Sequence, residues 1–425
     1  MVLLRAYSHR WRPGSTTALR VVMITAMGCS SSVVLEEEIP HTTTPVTRGP
    51  QTFVGPQSNN PETVLDAYRR MDEEICALES TTPGPRLATA EAWVDLLDNA
   101  KARDGKSFTD DQQRVAGRLA NGNVPNGVTA NFIDQPATTD RDSLIDGSRK
   151  EMVKVREVVL RLDIVFNQLK AAQQEEFVAR LSRAAMDQEA EQFREEMVDH
   201  ARQRVLALQA SFERLKRLYL EQDYALAMVY NGRYGSPAEQ RLDGELDAAR
   251  DVRDRLGGAV EQWRIAGGLL RAAAKGLHQT VDYWELLRPS KDADETVRLA
   301  LDARTSCHGA LVALEAAQTA LPHVEIPYIT IRQQSAVRHA LIYLLTDMVN
   351  PARYQHTRDV FGVFGANVSK AVHWLHECYD ETLRQDYNTA DQSATLLAKT
   401  LREERLRYIG SKVPNKIYVK PAIGK

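Results

Sequence analysis

Between Gly147 and Gly232 the chain holds neither glycine nor proline, and its apolar residues recur at steps of three and four. One block runs Val155, Val158, Leu162, Val165 and Leu169. A later one runs Phe193, Met197, Ala201, Val205, Leu208, Phe212, Leu215 and Tyr219. That spacing lays one narrow apolar stripe along an amphipathic helix. Ser148 and Glu151 stand at capping-box spacing before it, and Asn231-Gly232-Arg233-Tyr234-Gly235 supplies a stop. Unbroken, the stretch would make a helix of roughly 120–130 Å, at a rise of about 1.5 Å per residue. The first block is heptad-like, whereas the fours of the second drift toward an 11-residue repeat and a straighter or oppositely wound coil. A stripe this narrow needs partner helices.

The partners are legible downstream. Ser236-Pro237-Ala238-Glu239 combines an N-cap, a first-turn proline and a capping-box glutamate. The helix it opens extends to about Leu287, where Pro289 breaks it, and a second segment covers Lys291 to Ala320. Together they predict an antiparallel hairpin with a broken return arm. Gly257-Gly258 and Gly267-Gly268 mark close helix contact or a bend in that arm. Helices at 329–349, 357–387 and 391–409 complete the bundle. Ahead of the hairpin, Asn60-Pro61 opens a helix to about Glu79, and Pro83-Gly84-Pro85 ends it. A second short helix covers Thr89 to Arg103, and a third starts at the Thr109-x-x-Gln112 capping box and stops before Asn121-Gly122. The predicted fold is all-α: an elongated helical bundle built on one very long helix and a broken antiparallel return arm, with short N-terminal helices.

Composition narrows the function classes. With 54 Lys and Arg against 57 Asp and Glu, the net charge of −3 gives no basic field for nucleic acid. The long stripe's charges are interleaved and balanced, which describes a solvated outer face. Of the four cysteines, Cys76, Cys307 and Cys378 show no CxxC or CxxCH spacing, so neither structural zinc nor c-type haem is indicated.

The fourth, Cys29, closes a different pattern. Arg5, Arg10, Arg12 and Arg20 precede it with no acidic residue between them, and Val21 to Gly28 form a short apolar run ending in a small residue. This segment resembles the signal of a bacterial lipoprotein, although Ala26 and Met27 depart from the usual residues at their positions. The resemblance covers residues 1–29 only. It implies removal of residues 1–28, lipid on Cys29, and a location in the cell envelope, at the outer membrane facing the periplasm, as the following Ser30 suggests in that family. Ser30 to Asn60 is rich in Ser, Thr, Pro and Gly and reads as a disordered tether reaching roughly 30 Å. The linear division is thus a signal peptide at 1–28, a tether at 29–60, a short-helix region at 61–139, the helical hairpin at 140–321, C-terminal helices at 322–410 and a basic tail at 411–425.

Two clusters carry candidate chemistry. His373, His376, Glu377 and Asp380 fall on one stripe of a helix, and such donors in a row suit zinc or iron. The order matches neither HExxH nor HxxEH, and no ExxH pair lies on a second helix, so the stripe also reads as a solvated flank. In the tail, Lys412, Lys416, Lys420 and Lys425 occur without an acidic residue and are candidates for contact with an anionic surface. Cys307-His308 is not a catalytic pair, because helix neighbours point about 100° apart. No GxSxG, GxxxxGK[ST] or GxGxxG sequence is present, and no cofactor is implied. The expectation is a lipid-anchored, non-enzymatic scaffold, spacer or partner-binding stalk. It meets the membrane through its lipid and a protein partner, or a second copy, through its helices. A membrane-remodelling or pore-associated helical protein is the second reading, and a metal-binding bundle the third.

Overall fold

Helix signals dominate the sequence, and the computed structural model of the chain, which describes residues 62–100, 153–230, 235–288 and 290–420, is built from helices. The segment 1–28 with Cys29, the tether, the third short helix from Thr109, the loop 121–139, the Ser148 cap, the Asn231–Tyr234 stop, Pro289 and Lys425 lie outside those residues. Of the described residues 87% are helical and none forms a strand, so the chain is all-α. An isolated bridge pairs Thr63 with Ile417.

The helices are α1 (Val64–Glu79), α2 (83–100), α3 (153–161), α4 (Gln168–Gln173), α5 (Glu175–Tyr230) and α6 (Pro237–Leu286). They continue with α7 (Ala293–Ala320), α8 (Ile331–Asp347), α9 (Pro351–Cys378) and α10 (Arg384–Lys412), the last two joined by a π-helical turn at Tyr379–Leu383. The return arm follows its sequence signals. Ser236 Oγ accepts from Glu239 N at 3.1 Å, while the Glu239 carboxylate accepts from Gly235 N at 2.7 Å. Asp292 caps α7, and Thr330 with Gln333 forms a complete capping box on α8. Both glycine doublets sit inside an unbroken α6.

The structure departs from the expected elements at four points. The glycine- and proline-free stretch is not one helix. It breaks after α3 and again at Gln174, which leaves 56 residues to α5, about 84 Å at the helical rise. Asp163 takes the left-handed region at φ 51, and the Asn167 side chain caps α4 by accepting from Lys170 N. Aspartate and asparagine tolerate these conformations through their short polar side chains, so they punctuate the chain without glycine or proline. At the break, both Ile164 and Val165 enter the core.

The first helix ends at Glu79 as expected, but α2 begins at Pro83 rather than Thr89, with Pro83-Gly84-Pro85 in its first turn, where a missing N–H costs no intrahelical bond. At the other end, α9 begins at Pro351 rather than 357, because Asn350 accepts from Ala352 N and Arg353 N. The helical path then runs through the π turn to Lys412 without a break near 388.

The chain forms two compact units that cut across the linear division. Of the described residues, unit 1 takes those up to Ala77, those within Leu215–Asp247 and those from Thr395 onward, and unit 2 takes those within Leu78–Arg214 and Ala248–Ala394. Unit 1 buries Tyr68, Met71 and Ile75 of α1, Leu218 of α5, Leu246 of α6, and Leu401 and Ile409 of α10. Unit 2 holds one large apolar core, with Trp284, Phe361, Phe364, Leu270 and Leu277 among its largest buried side chains. The apolar run Ala340–Leu345 belongs to it, with Leu341, Leu344 and Leu345 fully buried.

Candidate functional site

The four residues of the α9 stripe with metal-ligand character do not converge. His373 Nε2 lies 3.1 Å from Glu377 Oε1, and His376 Nδ1 lies 3.1 Å from Asp380 Oδ2, as two separate i,i+4 pairs on an exposed face. Arg384 also pairs with Asp380. Among the described residues no group of three or more His, Cys, Asp or Glu could hold a metal ion.

The described lysines of the basic tail each have a neighbour within unit 1. Lys416 Nζ donates to the Met228 carbonyl at 2.9 Å, and the Lys416 carbonyl accepts from Val64 N at 2.9 Å. Lys420 pairs with Glu221 at 3.3 Å, and Lys412 Nζ stands 5.8 Å from the centre of the Tyr408 ring. Backbone pairing of Tyr418 N with the Glu62 carbonyl holds the segment in place.

A cleft in unit 2 is the feature best suited to take a ligand. Its volume is about 390 Å³, and α2, α5, α6 and α7 each contribute a wall. Trp93 comes from α2, Met197 and Ala201 from α5, Ile265 and Leu269 from α6, and Val312 and Ala313 from α7. Two glycines shape the space. A Cβ on Gly268 would meet no atom within 4 Å, whereas one on Gly309 would stand 3.0 Å from the Phe193 ring. Gly309 therefore permits a close approach of α5 and α7, and Gly268 leaves room in front of α6. The Gly267-Gly268 doublet reads in the sequence as helix contact or a bend, and at Gly268 the structure shows open space instead.

One end of the cleft is polar. Glu261, fully buried, accepts from Arg204 Nε at 3.0 Å and Arg204 Nη2 at 3.1 Å. Its Oε1 also accepts from Arg264 Nε at 3.0 Å and Nη2 at 2.7 Å. Burial alone would raise the Glu261 carboxyl, but the hydrogen bonds from the two guanidiniums outweigh it and hold its pKa below the ordinary value. Two arginines thus share one carboxylate, and the trio carries an excess positive charge at the cleft. The i,i+3 spacing of Glu261 and Arg264 is visible in the sequence. Arg204, 57 residues away on another helix, has no sequence signal that links it to them.

A second buried ionic group lies further back along α5. Arg304, fully buried, donates to Glu189 Oε1 at 2.7 Å, and His308 Nδ1 stands 3.7 Å from Glu189 Oε2, too far for a hydrogen bond. Burial pushes the Glu189 carboxyl up, and the His308 ring and Arg304 guanidinium pull it down further, so its pKa is lowered. Cys307 is fully buried, and desolvation drives its thiol well above the ordinary range, which makes it an inert core residue.

Comparison of the chain with protein-family models, with curated proteins and with solved structures finds no match in any of the three. The functional reading therefore rests on the chain's own residues.

Proposed function

We propose that the chain is a lipid-anchored, non-enzymatic helical protein of the cell envelope, held at the outer membrane and facing the periplasm, where its body serves as a scaffold, spacer or partner-binding module. The observation that carries this reading is the run from Arg20 to Cys29, a basic residue and a short apolar stretch closing on Gly28-Cys29. Cys29 would hold the lipid, and residues 30–60 would tether the body to it.

Features of the body support the reading. Buried charges are answered by partners inside the same unit, as Arg405 is by Glu239 and Asp243, an arrangement suited to fixing helices against one another. Lys416 and Lys420 make bonds within unit 1, which favours lipid over the tail as the means of attachment. No described helix is long and apolar enough to cross a membrane. Phe166 and Leu169 are 64% and 78% exposed around α4, and side chains of this kind suit contact with a protein partner.

Fractionation of the native cells tests the reading. The wild-type chain should be recovered with the membranes and released by detergent, and Cys29→Ser should move it to the soluble fraction. A wild-type chain recovered in the soluble fraction contradicts the proposal.

A further inference from the structure

We propose that the cleft of unit 2 is a binding site for a small amphipathic monocarboxylate, with the apolar tail between α5, α6 and α7 and the carboxylate at Arg204 and Arg264. The cleft's volume of about 390 Å³ falls in the range of small-molecule sites, about 300–1,000 Å³. Its walls are apolar apart from few polar groups, which is the usual composition of a ligand pocket between bundle helices.

Two observations point to the ligand's chemistry. The first is charge. Glu261 engages two of the five N–H donors of each guanidinium, so both arginines keep donors beyond their bonds to it. The trio's excess positive charge suits one further carboxylate, and charge-assisted hydrogen bonds from arginine are the strong kind. Glu196, the acidic residue of the lining itself, stands eight residues before Arg204, about 12 Å along the helix. It accepts from Gln192 Nε2 at 3.4 Å.

The second observation is length and open volume. From Arg204 back to Phe193 the cleft follows α5 for eleven residues, about 16 Å, past Ala201 and Met197. That path suits an extended alkyl chain better than a compact ring. Gly268 faces it with no atom within 4 Å of where a side chain would begin. A glycine inside a helix costs about 1 kcal/mol relative to alanine, and here no neighbouring atom requires it. The space it leaves belongs to the cleft.

Titration calorimetry on the full chain with dodecanoate, below its micellar concentration, tests the site. Dodecanoate should bind with one-to-one stoichiometry, and at least about tenfold more tightly than methyl dodecanoate, which has the same tail and no charge. Gly268→Leu should weaken dodecanoate at least about tenfold by filling the cleft, while the helix content is kept, because leucine is the better helix former. Arg264→Gln should remove the preference for the acid over the ester. Absence of one-to-one binding, unchanged binding in Gly268→Leu, or equal binding of acid and ester would each overturn the assignment. None of these outcomes depends on lipid at Cys29, so the site and the anchor stand or fall separately.

Discussion

Trp284 and Tyr354 hold each other by two reciprocal hydrogen bonds. The indole Nε1 donates to the Tyr354 carbonyl at 3.2 Å, the Tyr354 hydroxyl donates to the Trp284 carbonyl at 2.7 Å, and the rings stack with centroids 5.0 Å apart. The pair joins the end of α6 to the start of α9, and Arg288 covers the Tyr354 ring at 4.8 Å. Tyr354→Phe should cost about 0.5–1.5 kcal/mol, since it removes one of two hydrogen bonds to the Trp284 carbonyl, which keeps the one from Leu287 N at 3.3 Å. Trp284→Ala should cost about 3–5 kcal/mol through the cavity it opens. Urea denaturation reads both, and an unchanged midpoint for Tyr354→Phe would show that the hydroxyl bond contributes nothing.

In unit 1 the guanidinium of Arg405 donates to Glu239 Oε1 and Asp243 Oδ1, both at 2.9 Å, and all three side chains are buried. Removing the arginine alone takes a guanidinium away from two buried carboxylates. Arg405→Met should therefore destabilise by about 3–5 kcal/mol. Adding Glu239→Gln and Asp243→Asn should restore most of that loss, because neutral amides need no counter-charge. The amide oxygen introduced by Glu239→Gln can still accept from Gly235 N, so the helix start keeps its bond. If the triple variant were no more stable than Arg405→Met, the loss would come from packing rather than charge.

Acid should weaken unit 2 through Glu189 and Glu261. Both carboxyls are held below the ordinary value of 4.5 in the folded chain. A depressed folded pKa contributes stability that is fully present above the unfolded value and is lost as pH falls through the folded one. Asp254 and Asp302 are shifted upward, chiefly by burial, so whatever they contribute is lost as pH rises. The two groups oppose each other, and a variant comparison separates them. Denaturant midpoints between pH 7 and pH 3 should fall less steeply below about pH 4.5 in Glu261→Gln than in the wild type. Parallel slopes would contradict the assignment.

Thr82 links α1 to α2 in the left-handed region, φ 45, with its side chain against Gly257. A Cβ on Gly257 would lie 2.5 Å from Thr82 Oγ1, so this glycine permits the approach of α6. Gly257→Ala should destabilise by about 1–3 kcal/mol through overpacking. Thr82→Gly removes both the strained φ and the clashing hydroxyl, and Gly257→Ala in that background should be neutral or stabilising. Additive losses in the double variant, read by thermal melting, would show that the two positions do not interact.

The fold is readable where the chain uses strong punctuation. Ser236-Pro237 and the Asp292 region start their helices where the sequence places them, because caps and first-turn prolines act locally. The break at Asp163 and Asn167 is hidden, since its purpose is to bury Ile164 and Val165 in a core that only the assembled helices create. The Pro83-Gly84-Pro85 run, read as a stop, lies in the first turn of the helix that follows. The cleft is hidden for the same reason as the break. Gly268 is visible in the sequence, but whether a helical glycine faces a neighbour or empty space depends on helices distant in the chain. Arg204 meets Glu261 only across 57 residues.

Mass spectrometry of the native protein's N-terminus tests the central claim most directly. The account predicts a chain that begins at Cys29 and carries lipid on it, with the lipid lost in Cys29→Ser. An intact Met1, or an unmodified Cys29, would contradict it.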